Sequence, residues 1–182
     1  HRAMRSVCVY CGSSAGDRPE YVDAARALGH ALAQRGIELI YGGAQVGLMG
    51  HVANAVLERG GRVIGVIPQM LVRKEIAHGG LTALHVTASM HERKQKMADL
   101  SEGFIALPGG IGTFEELFEI WTWGQLGLHR RPCGLLNVAG YYDDLVRFLD
   151  HATASGFIRA EQRAMLSVES DVDALLARFD AY

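Results

Sequence analysis

Short apolar runs that end in glycine-rich segments recur along the 182-residue chain, and this pattern limits the folds open to it. Runs such as 63–67 and 103–107 are continuously apolar, whereas a strand with one face in solvent alternates apolar and polar residues. Segments with helical periodicity lie between the runs. We therefore predict a single Rossmann-like α/β domain, in which helices flank both faces of a parallel sheet.

The same patterns predict the individual elements. Pro19 suits a first helical turn with Asp17 as its cap, and Ser89 with Glu92 has the spacing of a capping box. Residues 68–82 are the least regular part. The domain should span 5–182, with 1–4 a tag remnant or a disordered start. Strands are predicted at 5–11, 37–41, 63–67, 84–87, 103–107 and 134–138, and helices at 19–35, 48–59, 89–100, 113–126, 141–153, 161–166 and 171–180.

Charge and cysteine usage exclude several classes of protein. Eighteen Lys and Arg against 20 Asp and Glu give a net charge of −2, which argues against binding nucleic acid through a basic surface. No stretch reaches the roughly 20 apolar residues of a membrane span. Cys8 and Cys11 should point to opposite faces of one strand, which leaves no four-ligand zinc set with Cys133. We expect a cytoplasmic protein with no metal, no cofactor, and neither a membrane nor a nucleic-acid partner.

Three loops rich in small residues follow predicted strands directly: 12–14, 42–43 and 109–113. In a parallel sheet these loops share the carboxyl edge, where backbone N–H groups and helix N-termini favour a phosphate-bearing ligand. Turn geometry alone would also explain the glycines. Gly42 and Gly47 have the spacing of a P-loop, but the Lys-Ser/Thr pair that a P-loop requires is missing. A dinucleotide-binding fingerprint that includes Gly110 would place the Glu115 carboxylate beside the pyrophosphate, which it would repel. Neither motif is therefore favoured.

Two pairs of charged residues stand near predicted helix starts. Arg93 and Lys94 oppose the helix dipole, which is easier to understand if they face an anion or a carboxylate than if they are solvated. The helix dipole alone explains Glu115 and Glu116, because it favours acidic residues in a first turn. The alternative is that one of the two carboxylates lies beside a bound sugar phosphate and activates water. Only one of the two should face the ribose, since they lie about 100° apart on a helix.

The predicted helix at 113–126 is apolar on more than one face. It carries Phe114, Leu117, Phe118, Ile120, Trp121 and Trp123. Such a helix is either internal or shared with a second subunit. We predict a homodimer.

Two motifs carry a family resemblance. The segment 108–116 matches P-G-G-x-G-T-x-x-E, and 90–94 matches M-x-x-R-K. With the loops at 11–14 and 41–43, they resemble the LONELY GUY family of cytokinin-activating phosphoribohydrolases. Such proteins have often been described as lysine decarboxylases, but this chain has three lysines and no recognisable pyridoxal phosphate site.

The resemblance implies hydrolysis of the N-glycosidic bond of N6-substituted adenosine 5′-monophosphates, with plain AMP as a further candidate substrate. By the family's motifs Arg93 and Glu116 are catalytic, and the pocket lies near a subunit contact. A non-catalytic nucleotide carrier or sensor of the same fold is the alternative, as is a nucleosidase for another nucleotide. The residues expected to bind substrate are Gly12, Ser13, Gly43, Glu75, Met90, Lys94, Gly109, Gly110, Ile111, Gly112, Thr113, Glu115 and Thr122.

Overall fold

Strands and helices alternate over most of residues 3–182, the part of the chain that the computed structural model describes. Residues 1 and 2, half of the predicted tag remnant, lie outside it. Met4 is partly buried and packs against the core. In chain order the elements are β1 (Ser6–Tyr10), α1 (Pro19–Gln34), β2 (Glu38–Tyr41), α2 (Gly47–Glu58), β3 (Val63–Pro68), β4 (Ala83–Thr87), α3 (Met90–Leu100), β5 (Phe104–Ala106), α4 (Ile111–Gln125), β6 (Cys133–Leu136), α5 (Asp143–Ala154), α6 (Ala160–Arg163), β7 (Leu166–Glu169) and α7 (Val172–Ala181).

All seven strands form one parallel sheet in the order β4-β3-β2-β1-β5-β6-β7. The chain builds outward from β1 to β4, then returns to place β5 on the other side of β1, with Cys8 opposite Phe104. The connections that leave β1 and β5 therefore run away from each other, one toward β2 and the other toward β6. This reversal creates the crevice at which doubly wound sheets bind ligands.

Apolar clusters lie on both faces of the sheet, which confirms the predicted α/β architecture. Helices α1, α2 and α7 cover one face, and α3, α4 and α5 cover the other. Cys8 and Cys11 belong to different clusters, as their spacing in a strand predicts. Both thiols are buried and free, as is that of Cys133. Continuously apolar strands are thus explained by burial on two sides.

The C-terminal part departs from the prediction. The helix expected over 161–166 is the single turn α6, and residues 166–169 form β7, a strand that the sequence did not predict. The sequence Leu-Ser-Val-Glu is too short to show a period, and pairing with β6 decides its conformation. The strand expected at 134–138 ends at Leu136 and passes into a 3-10 turn.

Two helix starts also differ. The residue before α1 is Arg18 and not Asp17, and no side chain caps this helix. Pro19 has no N–H, so one of the four amides that a helix start leaves without an intrahelical acceptor is missing. Helix α4 begins at Ile111, two residues before the expected Thr113, because Gly112 is tolerated in a first turn. The Ser89 cap is confirmed, since its hydroxyl accepts from the Glu92 amide, but the Glu92 carboxylate accepts from Ala88 N and not from the Ser89 amide that would complete a capping box.

Candidate active site

A cavity of about 600 Å³ opens at the carboxyl edge of the sheet beside the β1–β5 reversal. Its wall combines the loops after β1 and β5, the starts of α3 and α4, and the segment 71–75. Eleven residues predicted for the site lie in it. They are Gly12, Ser13, Glu75, Met90, Arg93, Gly110, Ile111, Gly112, Thr113, Glu115 and Glu116.

Glu116 and Glu115 both line the cavity but differ sharply in environment. Glu116 is half-buried, and desolvation of its carboxyl by the surrounding protein raises its pKa to about 7 against the opposing effect of Arg93 and Lys94. Glu75 and Glu115 raise it further. At neutral pH the Glu116 carboxyl can therefore hold or release a proton.

Glu115 is 61% exposed and pairs with Lys94, whose Nζ lies 2.5 Å from Glu115 Oε1 and 3.6 Å from a Glu119 carboxylate oxygen. The hydrogen bond from Lys94 lowers the pKa of Glu115. Lys94 itself lies outside the cavity wall, so its observed role is to join α3 to α4 and to keep the outer carboxylate ionised.

Arg93 is 6% exposed and bonds to backbone carbonyls instead of a carboxylate. Its Nε donates to the Val66 carbonyl at 2.9 Å, and its Nη2 donates to the Gly42 carbonyl at 2.7 Å. The guanidinium thereby ties α3 to the ends of β2 and β3 while lining the cavity. A Cβ at Gly42 would collide with Nη2, so this glycine makes room for Arg93 and not for a ligand.

Helix α4 begins in the cavity wall without a side-chain cap. Gly110 precedes its first turn, and the amides of that turn have no acceptor four residues earlier within the helix. Ile111, Gly112 and Thr113 line the cavity. Exposed N–H groups at a helix N-terminus form a ready site for an anion such as phosphate.

The irregular segment over 69–81 carries Glu75 to the cavity and is held by bonds to distant residues. Its His78 amide donates to the Gly43 carbonyl at 2.9 Å, and His78 Nε2 lies 2.7 Å from Asn54 Oδ1. The Gly80 amide donates to His78 Nδ1 at 2.9 Å, so Nε2 carries the proton. Burial lowers the pKa of His78, which favours this neutral form. His78 therefore fixes the segment to α2.

Four predicted site residues are not in the cavity wall. Gly43 is buried at φ +78°, and its carbonyl accepts a hydrogen bond from the His78 amide. Gly109 lines a second cavity on the other side of the glycine loop. Lys94 bonds to acids on α4. Thr122 is exposed, and its hydroxyl donates to the Phe118 carbonyl at 2.6 Å.

The cavity wall also contains residues that sequence reasoning missed. Most of them are apolar, and apolar side chains near glycine-rich loops are equally typical of a core, so the sequence did not mark these residues as part of a site. They are Cys11, Val46, Met49, Leu71 and Lys74. Val46, Met49 and Leu71 give one part of the cavity an apolar character. Within residues 3–182, no group of three or more His, Cys, Asp or Glu side chains is arranged to hold a metal ion, and no helix is long and apolar enough to cross a membrane.

Comparisons with known proteins agree with the motifs. A family model described as "Possible lysine decarboxylase" matches residues 49–179. The cytokinin riboside 5′-monophosphate phosphoribohydrolase of Rhodococcoides fascians is 48% identical, over 95% of this chain and 88% of that protein. An Arabidopsis thaliana protein of the same description is 47% identical, over 98% of this chain and 82% of the relative. The molybdenum cofactor binding protein of Rippkaea orientalis shares the fold, with a TM-score of 0.72, 22% identity, and 99% and 97% of the two chains covered.

Proposed function

The chain belongs to the family of cytokinin riboside 5′-monophosphate phosphoribohydrolases, and from this premise we propose that it hydrolyses N6-substituted adenosine 5′-monophosphates. Water replaces the base at C1′ of the ribose, and the products are the free base and ribose 5-phosphate. The observation that carries the proposal is the buried Glu116 carboxyl, which faces a cavity that also contains an uncapped helix N-terminus.

Glu116 is the catalytic acid–base group of this proposal. Cleavage of a ribosyl–adenine bond builds positive charge on the sugar, as in glycoside hydrolysis. An ionised Glu116 stabilises that charge and accepts a proton from the attacking water. Because its pKa is about 7, both protonation states are accessible near neutral pH.

Arg93 supports the same reaction by its charge and its position. Its guanidinium lowers the pKa of Glu116 and so keeps part of the population ionised despite burial. Two of its nitrogens are occupied by strand-end carbonyls. The group is thereby held rigidly in the cavity wall, where it can also meet substrate oxygens.

The first turn of α4 binds the 5′-phosphate in this proposal. The amides of Ile111, Gly112 and Thr113 are directed at the cavity end of the helix, and the helix dipole adds favourable potential. Binding of the phosphate fixes the ribose relative to Glu116, and this orientation lowers the free-energy barrier to hydrolysis. The apolar wall of Val46, Met49 and Leu71 remains for the base and its substituent.

A homodimer and a cytoplasmic location complete the proposal. Helix α4 and the turn after it leave apolar side chains in solvent: Ile111 is 84% exposed, Leu126 65% and Leu128 70%. Contact with a second copy would cover such a surface. Light scattering coupled to gel filtration measures the mass directly, and a monomer at micromolar concentration would refute the dimer. Three free, buried thiols support a reducing compartment, which fractionation of the source cells tests.

The decisive experiment follows free base by chromatography. The purified protein is incubated with isopentenyladenosine 5′-monophosphate, with AMP, and with the riboside that lacks phosphate; the Glu116→Gln protein is the control. Base released by the wild type from the monophosphates alone supports the proposal and gives its preference between them. Binding without release would refute hydrolysis and favour the nucleotide carrier or sensor.

A further inference from the structure

Two adjacent tyrosines brace the segment that joins β5 to α4. The Tyr142 hydroxyl donates to the Leu107 carbonyl at 2.6 Å, and the Tyr141 hydroxyl donates to the Gly109 carbonyl. The first bond fixes the end of the strand. The second reaches the glycine loop at Gly109, where neither Gly109 nor Gly110 has a side chain and no side chain caps helix α4.

The bond to Gly109 determines which way the next amide points. In a planar trans peptide, the carbonyl of one residue and the N–H of the next are antiparallel. Since the Gly109 carbonyl is directed toward Tyr141, the Gly110 N–H is directed away from it. Gly110 lies in the wall of the catalytic cavity, whereas Tyr141 does not.

We propose that Tyr141 is a positioning residue, which sets the Gly109–Gly110 peptide so that the Gly110 amide faces the 5′-phosphate of the substrate. The inference rests on the function proposed above. Tyr141 lines a second cavity of about 330 Å³, and Gly12, Ser13 and Gly110 are shared between the two cavities. Because Tyr141 is absent from the wall of the catalytic cavity, it acts through the loop and not on the substrate directly.

The surroundings of Tyr141 hold its hydroxyl in place. Its ring packs edge-on against Tyr21 and Tyr142, with centroids 5.8 and 4.9 Å apart. The preceding turn contains Ala139 at φ +51°, a left-handed conformation that non-glycine residues seldom adopt. Asn137 secures that turn, since its side-chain oxygen accepts from the Tyr142 amide at 2.7 Å. Burial raises the pKa of Tyr141, so the hydroxyl remains a donor.

Tyr141→Phe and Tyr142→Phe form a matched pair for the test. Each removes one hydroxyl that donates to a backbone carbonyl, but only Tyr141 bonds to the glycine loop. Calorimetry measures the binding of ribose 5-phosphate, and KM and kcat are measured on the nucleotide. For Y141F we expect affinity for ribose 5-phosphate to fall at least tenfold and KM to rise similarly, with kcat changed less than threefold. Y142F should melt a few degrees lower and bind ribose 5-phosphate within twofold of wild type.

Three results would overturn the inference: Y141F binding ribose 5-phosphate like wild type, equal losses of affinity in both variants, or a wild type that does not bind ribose 5-phosphate. The failure of the proposed function looks different. A wild type that binds ribose 5-phosphate but releases no base refutes hydrolysis, and the Y141F binding result still decides the role of the tyrosine. An amide resonance of Gly110 that moves with ligand in wild type, but not in Y141F, would support the peptide orientation directly.

Discussion

Replacing Glu116 with Gln tests the electrostatics of the cavity most directly. Burial raises the pKa of this carboxyl from its ordinary 4.5 to about 7. The unfolded chain ionises the group freely above pH 4.5, whereas the folded chain resists ionisation up to about pH 7. The wild type therefore loses stability as the pH rises through this window, and a neutral Gln removes that loss.

The size of the effect follows from the width of the window. One pKa unit corresponds to about 1.4 kcal/mol, so the shift from 4.5 to about 7 amounts to about 3 kcal/mol once the pH exceeds 7. In a domain of this length, 1 kcal/mol moves Tm by about 2–4 °C. E116Q should therefore melt roughly 6–12 °C above wild type at pH 8. Below pH 4.5 the carboxyl is protonated in both states, and the two proteins should be equally stable.

Urea unfolding of both proteins between pH 4 and pH 8 gives the free energy of unfolding, and base release is measured on the same preparations. The stability of E116Q relative to wild type should increase as the pH rises, while E116Q loses nearly all turnover. Glu115→Gln is the matched control, because the adjacent carboxylate is exposed and paired with Lys94, which lowers its pKa. A stability difference for E116Q that is independent of pH, or an equal gain in E115Q, would refute the reasoning.

Three further predictions concern the cavity wall. If Glu116 acts in its ionised form, kcat/KM should rise with pH and level off above about 7; a falling limb there would instead make it the proton donor. Arg93→Lys leaves at least one strand-end carbonyl unpaired inside the protein, so urea unfolding should show a loss of about 1–3 kcal/mol together with lower turnover, and unchanged stability would contradict the bonding described. In Gly109→Ala the new Cβ would overlap the Thr113 side chain, and we expect a loss of about 1–3 kcal/mol in thermal unfolding. Gly110→Ala meets nothing within 4 Å and should melt like wild type; equal losses in both alanine variants would rule out the steric cause.

Much of the fold was predictable because its determinants are local. A strand buried on both faces must be apolar at every position, and the glycines that follow it mark the carboxyl edge. The residues of β7 have no such local signal, since a four-residue edge strand is specified by its neighbour β6. The same holds for the contact between His78 and Asn54, which joins residues far apart in sequence and orients the segment that bears Glu75.

The sequence pattern alone did not show which of Glu115 and Glu116 lies on the buried face of α4. Thr113, Leu117 and Ile120 form the buried face of α4, and Glu116 lies three residues after the first and four before the last. That spacing assigns Glu116 to the inner face. The other aromatic residues of α4 are only partly buried in a single chain. They make the helix apolar on more than one face, so the sequence alone did not identify the buried face.

The reversal of strand order also has a consequence for how the chain acquires activity during synthesis. Its first part can pair β1 to β4, yet β1 then presents an unpaired edge until β5 emerges from the ribosome about half a chain later. An apolar edge of this kind invites pairing with other chains, and closing so long a loop is slow. Glu116 follows β5 in the chain, so the carboxyl that we propose as catalytic is synthesised only after the strand that covers this edge of β1.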